Sequence, residues 1–279
     1  MKRIIIFALS IIALAACTDT ADVTATTADT ETAVTFTFSP YEVTPITRSA
    51  VADYCTRLDI FVADPGGSVS EYHQTSTDDN FGTLAITLNN TLSYRLIAVA
   101  HRCTEPADYN HDTAVISFPE DRTTHALVYT DIITPTRNMT VNCLMQRIVA
   151  LFRLETTDAT PSGVTKFSFG ISNVYDRWHI TDGPWHAIDK TADLAVTSTT
   201  QDGTVNCNIY VIATTAETRH TITVTALSNS NAVIQSRHFP GVPLRNGYKT
   251  TYRGPFFIDA PMTATFTAAD WLSYDTVSF

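Results

Sequence analysis

Hydrophobic and polar residues fall into three regimes along this chain. An unbroken apolar run, Ile4 to Ala13, follows the basic pair Lys2-Arg3. Residues 18–32 (TDTADVTATTADTET) then carry one large apolar side chain, Val23. From there the pattern changes to alternation. Val34, Phe36 and Phe38 are spaced by Thr35 and Thr37, the period of a strand with one buried face. Leu58-Asp59-Ile60-Phe61-Val62 runs into the turn signal Asp64-Pro65-Gly66-Gly67. Leu84 to Leu88 alternates until Asn89-Asn90 breaks it, and Tyr94 to Ala100 is nearly continuous apolar, as a strand covered on both faces would be. Shorter strands are predicted at Val115–Phe118 and Ala126–Tyr129, with residues 104–112 (TEPADYNHD) as a surface loop.

The stretch Met145 to Leu154 fits two periods. Met145, Ile148, Val149 and Phe152 have helical spacing, while Ile148, Ala150, Phe152 and Leu154 alternate. No capping residue precedes the run and its neighbours are strand-like, which favours one strand. Further strands are predicted at Val164–Ile171, Val205–Ala213, His220–Leu227, Ala232–Phe239 and Tyr248–Ile258. Many short strands without a helix imply an all-β fold of sandwiches rather than an α/β sheet. A boundary near Pro135 divides the chain into two sandwiches, residues 33–135 and 136–279.

The first regime changes this picture by adding an address. Its apolar core is too short to span a membrane and has the basic flank of a secretory signal. Leu14-Ala15-Ala16-Cys17 at its end resembles a bacterial lipobox, which implies cleavage between Ala16 and Cys17 and a lipid on Cys17. An ordinary signal peptide ending near a cysteine is the alternative. Residues 1–16 are then the signal and 17–32 a flexible tether too poor in apolar surface to offset its ordering entropy. The whole chain has a net charge of −10, and loss of Lys2 and Arg3 with the signal makes it −12. Nucleic acid and anionic headgroups are therefore disfavoured as partners.

Four cysteines remain after Cys17. The repeated Thr-Val-Asn-Cys at Cys143 and Cys207 precedes apolar runs, and an exported chain favours bridges, giving Cys55–Cys103 and Cys143–Cys207, one per half. Buried thiols acting as small hydrophobes are the alternative. No zinc-ligand spacing is present, and the Asp108-Asn110-Asp112 spacing of a calcium loop lacks its glycine and its closing glutamate. No nucleophile elbow, phosphate loop, dinucleotide fingerprint or H-E-x-x-H occurs, so the expectation is a non-enzyme without cofactor or metal. Tyr175, Trp178, Trp185 and His186 cluster around Gly183-Pro184. They read either as a loop platform for sugar rings or as packing under a sandwich edge.

Four pieces, in order, resemble the fimbrillin superfamily of type V pili, and within it the FimB-type fimbrial anchor lipoproteins. They are the lipobox at Cys17, the strand and turn Arg57 to Gly67, the strand Gln146 to Leu154, and Leu244-Arg245-Asn246-Gly247-Tyr248 through Phe257. The aspartate of the second piece falls at Asp64 after an alanine, a departure from the family pattern. The resemblance implies two tandem transthyretin-like β-sandwich domains and lipid anchoring at the outer membrane. It also implies pilin or fimbrillin subunits as partners, joined by strand addition. Stalk pilins of that superfamily are cut by an arginine-specific protease in the region of Arg48, whereas anchors keep their lipid and first strand. Arg48 is thus either a processing site or an ordinary loop arginine.

Overall fold

The computed structural model describes residues 30–41, 50–119, 124–195 and 204–268. Among them one 3-10 turn, Val51–Asp53, accompanies the strands and no α-helix occurs. The first half holds β1 (Glu31–Pro40), β2 (Arg57–Ala63), β3 (Val69–Thr75), β4 (Thr83–Asn89) and β5 (Tyr94–His101). It continues with β6 (Asp108–Asn110), β7 (Val115–Ser117), β8 (Ala126–Ile133) and β9 (Met139–Arg147). The second half holds β10 (Val149–Thr156), β11 (Lys166–His179), β12 (Gly183–Ala195) and β13 (Asn206–Ile212). β14 (Thr218–Leu227), β15 (Val233–Leu244), β16 (Tyr248–Gly254) and β17 (Thr263–Ala268) complete it. The all-β expectation holds.

Seven strands of the first half form a sheet in the order β3-β2-β5-β8-β9-β1-β4. β9 is its corner: Met139 to Met145 run parallel to β1, and Gln146 and Arg147 pair with β8. The β4-β1-β9 layer packs on β3-β2-β5-β8, so Val34 and Phe36 share one core with Leu58, Ile60 and Ile97. The second sheet runs β15-β14-β11-β13-β10-β16-β17, with β12 also on β11. Here β11 turns the corner, at a bulge between Ile171 and Val174 where Asn173 takes a φ of 54°. Before the bulge β11 pairs with β14, and after it Tyr175 meets Ile212 of β13. Ala150, Phe152, Phe167, Phe169 and Phe256 fill the second core.

The two halves meet along a shared apolar seam. Alternate residues of β10 point to opposite cores: Ala150, Phe152 and Leu154 enter the second, whereas Val149 and Leu151 join the first. Tyr210 and Ile212 of β13 do the same on the neighbouring strand. A strand buried on both faces has no polar side to show, which is why Ile148 to Phe152 is continuously apolar. The hairpin of β6 and β7 reaches across and pairs with β11, setting Ile116 opposite Trp178.

Several expectations need correction. Met145 to Leu154 is two strands that separate at Ile148, not one, and β9 stays with the first sheet. The passage between halves therefore lies at Ile148 rather than Pro135. Residues 104–112 are not a plain surface loop, since they contain β6 and the buried Ala107 and Tyr109. The end of the expected tether is structured as well: Glu31 and Thr32 belong to β1, and the Thr32 hydroxyl donates to the Thr136 carbonyl at 3.3 Å.

Candidate assembly site

β1 is an N-terminal strand held from both sides. It pairs antiparallel with β4, from Glu31 opposite Asn89 to Thr37 opposite Thr83, and parallel with β9, from Val34 opposite Met139 to Pro40 opposite Met145. The period-two sequence sends Thr32, Val34, Phe36, Phe38 and Pro40 inward and leaves the intervening residues outside. Val34 and Phe36 are wholly buried, and Phe38 nearly so. Burial of these three side chains stabilises the strand by roughly 5–8 kcal/mol before entropic costs. At its end the Tyr41 N–H donates to the Met145 carbonyl at 2.7 Å. The sequence-predicted Ala16, Cys17 and Arg48 lie outside the described residues. In the chain, Cys17 precedes β1 and Arg48 follows it.

Beside this layer, β2 buries a carboxylate. Asp59 is 0% exposed and lies among Leu58, Ile60 and Phe61, all buried. Its Oδ2 accepts from His101 Nε2 at 2.7 Å and from the Ala107 N–H at 2.8 Å. Its Oδ1 accepts from His73 Nδ1 at 2.8 Å and from Arg57 Nε at 3.3 Å. The Cys103 N–H donates to His101 Nδ1 at 3.0 Å, so that nitrogen carries no proton and His101 is the Nε2–H tautomer. Burial acts to raise the Asp59 pKa, but the donors from His101, Ala107 and His73 outweigh it and hold the carboxyl below its ordinary value. Asp59 thereby ties β2 to β3, to β5 and to the segment entering the β6–β7 hairpin. Both Asp59 oxygens and both His101 ring nitrogens are engaged in these bonds.

A second polar cluster sits at the seam. Arg147 Nη1 donates to His125 Nδ1 at 2.7 Å, and His125 Nε2 meets the Tyr210 hydroxyl at 3.3 Å. Burial, together with the charges of Arg147 and Arg102, pushes the His125 pKa down to about 2. A neutral His125 bridges β9 of the first sheet and β13 of the second, and the Arg147 guanidinium lies 5.0 Å from the Tyr54 ring centre. Sequence reading found neither cluster. The signal was available for Asp59, because a carboxylate flanked by four large apolar residues in a strand must be paired when buried.

The cysteines depart from the expected bridges, since the four described ones form no disulfide. Cys143 belongs to the first core and Cys207 to the second, so the bridge between them is excluded by placement. Burial pushes both thiols up to about 12. Cys55 and Cys103 are buried at one end of the β2–β5 ladder, where the Thr56 N–H donates to the His101 carbonyl, and they too are unbridged.

The aromatic cluster is not a loop platform. It forms the β11–β12 hairpin, closed by Ile180 to Asp182 with Gly183 at a φ of 87°. Tyr175 and Trp178 are partly buried against the first core. Trp185 is 45% exposed and stacks on His179 with ring centres 5.0 Å apart. His186, at a φ of 61°, is paired to Asp176 at 2.8 Å. Among the described residues no group of three histidine, cysteine or acidic side chains is placed to hold a metal ion.

No protein-family profile matches the chain. No curated protein matches it in sequence. Solved structures do match in fold. The fimbrial anchor protein Mfa2 from Porphyromonas gingivalis superposes with a TM-score of 0.54 at 10% identity, over 86% of this chain and 98% of that one. A candidate polysaccharide-binding protein from Bacteroides thetaiotaomicron gives 0.56 at 9% identity, over 86% and 96%. A candidate adhesin from Bacteroides ovatus gives 0.53 at 12% identity, over 84% and 95%. At such identities the likeness is one of architecture: this chain shares the all-β fold of these three proteins along most of its length.

Proposed function

We propose that this chain is a lipid-anchored accessory subunit of a type V pilus, which attaches or helps assemble the filament at the outer membrane through strand-addition contacts. The observation that carries the reading is β1. A load arriving through Cys17 would enter the N-terminal end of a strand paired along both edges. Tension along a strand axis loads the ladder hydrogen bonds and the buried Val34, Phe36 and Phe38 together, so the connection resists pulling in the way an anchor must. The fold likeness to a fimbrial anchor, over 86% of this chain, supports the same reading. Cleavage after Arg48 would leave β1 joined to the rest by non-covalent contacts alone, and its departure would open a groove between β4 and β9 that an incoming strand could fill. That is the route by which a shaft or tip subunit would differ from an anchor. Deleting the gene should alter fimbria length or retention on the cell, and the protein should co-purify with pilin. Normal, firmly attached fimbriae after deletion would refute the proposal.

A second reading, a surface glycan-binding lipoprotein, is favoured by the fold shared with a candidate polysaccharide-binding protein. The aromatic hairpin is a poor platform for it, because Tyr175 and Trp178 are engaged with the first core. Trp185 is the exposed ring of the three. A glycan array with wild type and Trp185→Ala separates the two, and undiminished binding by the variant would remove the hairpin from consideration.

A further inference from the structure

The outward face of β10, β16 and β17 carries a groove of about 490 Å³ lined by Glu155, Lys249, Thr251, Arg253, Thr263 and Thr265. Its composition follows from register. Across β10, β16 and β17, Arg153 lies beside Thr251 and Thr265, and Glu155 beside Arg253 and Thr263. Register partners share a face of the sheet, so these rows stand together, with Asn208 of β13 continuing the Arg153 row. The same face carries Leu151 and Tyr210 where the first half covers it. The groove begins where that cover stops.

Two features single the groove out from an ordinary solvated sheet. First, its charge opposes that of the chain. Lys249 and Arg253 line it beside Glu155, the one carboxylate among its described lining residues, which also pairs with Arg153 at 2.6 Å and with Arg253 at 3.8 Å. Around them is a protein of net charge −10. Second, its floor has unmet hydrogen-bonding capacity. The Thr251 hydroxyl, on a residue 8% exposed, is buried without a partner among the described residues. Unpaired buried polar groups are uncommon and costly, and a ligand rich in hydroxyls would complete them.

We propose that this groove binds an acidic glycan, a sugar chain bearing carboxylates of the uronate type. The Arg253 and Lys249 side chains would take the carboxylate and the threonine row the ring hydroxyls. No aromatic ring lines the groove to stack on a neutral sugar, so charge must supply selectivity. The lining holds no large apolar side chain to seat those of an acidic peptide. The proposal is independent of pilus attachment, and its failure would leave that reading untouched.

Calorimetric titration of the whole chain with polygalacturonate, dextran and polyglutamate tests it. Polygalacturonate should bind and weaken as salt rises, while dextran should give no heat. Arg253→Glu should weaken binding at least tenfold. The Arg253 side chain is 71% exposed, so the fold should survive, as a thermal melt would verify. Thr265→Glu, on the exposed edge strand, is the second variant and should do the same. Trp185→Ala should bind as wild type does. Absence of polygalacturonate binding, equal binding by the two charge variants, or polyglutamate binding as tightly as the uronate would each overturn the proposal.

Discussion

Asp59 makes the sharpest test of how the first half is held together. Four donors converge on its two oxygens, and two of them, His101 Nε2–H and the Ala107 N–H, are buried with it. Asp59→Ala strands both buried donors. At roughly 1–3 kcal/mol for each unmet group, the loss should be about 4 kcal/mol. Asp59→Asn keeps one acceptor oxygen. Its cheaper orientation points that oxygen at His101 and Ala107 and turns the amide toward the more exposed His73 and Arg57, so the cost should be smaller, about 1–2 kcal/mol. Urea titrations followed by circular dichroism at pH 7 measure both losses as shifts in midpoint at constant slope. The pH matters because the Asp59 pKa is lowered by folding. Its contribution is complete above the ordinary carboxylate value of 3.8 and is lost as pH falls from there through the folded value. A loss below about 1 kcal/mol for Asp59→Ala would refute the network as a structural tie. Asp59→Asn proving worse than Asp59→Ala would refute the assignment of donors and acceptors.

Other predictions follow from the seam, the thiols and the hairpin. His125 has a pKa depressed by folding, so the unfolded chain takes up a proton near pH 6.5 that the folded chain refuses. Stability should fall by up to about 1.4 kcal/mol per pH unit below that point, and His125→Gln should flatten the slope between pH 6.5 and 4.5. Peptide mapping without reductant should yield no Cys143–Cys207 cross-link, and a thiol reagent should label these two cysteines only on unfolding. Trp178→Ala should cost about 2–3 kcal/mol because its ring packs on the first core, while Trp185→Ala should cost under about 1 kcal/mol. Equal costs at the two tryptophans would contradict their placement.

The parts of this fold legible in the sequence are those where one face of a strand is buried. Val34, Phe36 and Phe38 announce β1 because water on one side and core on the other impose a period of two. β10 defeats that logic, since Val149 and Leu151 serve one core while Ala150 and Phe152 serve the other, and the resulting apolar run carries no phase. β17 fails for the opposite reason: it is mostly exposed on both faces and is held by backbone pairing to β16, which leaves no trace in side-chain pattern. The aromatic cluster was visible as residues, but its partner was not. Trp178 is drawn into the seam by pairing with Ile116, sixty-odd residues earlier in the chain, and such long-range contacts have no local signature. The cysteine pairing misled for a similar reason. The repeated Thr-Val-Asn-Cys marks two strands that lie in different sheets.

The buried polar clusters were missed because their meaning depends on burial. Asp59 among apolar neighbours signals a paired charge, yet its partners come from β3, β5 and the Ala107 segment, and only the fold brings them together. The groove on β10, β16 and β17 is likewise a product of register, assembled from single residues two apart on three strands.

The central claim is that the chain holds a filament through Cys17 and an intact β1. Intact-mass analysis of the protein recovered with fimbriae from outer membranes tests it most directly. The account predicts a mature N-terminus at Cys17 carrying lipid, with β1 still continuous with the rest of the chain. A fimbria-bound form that begins at Ser49, without lipid or β1, would contradict it.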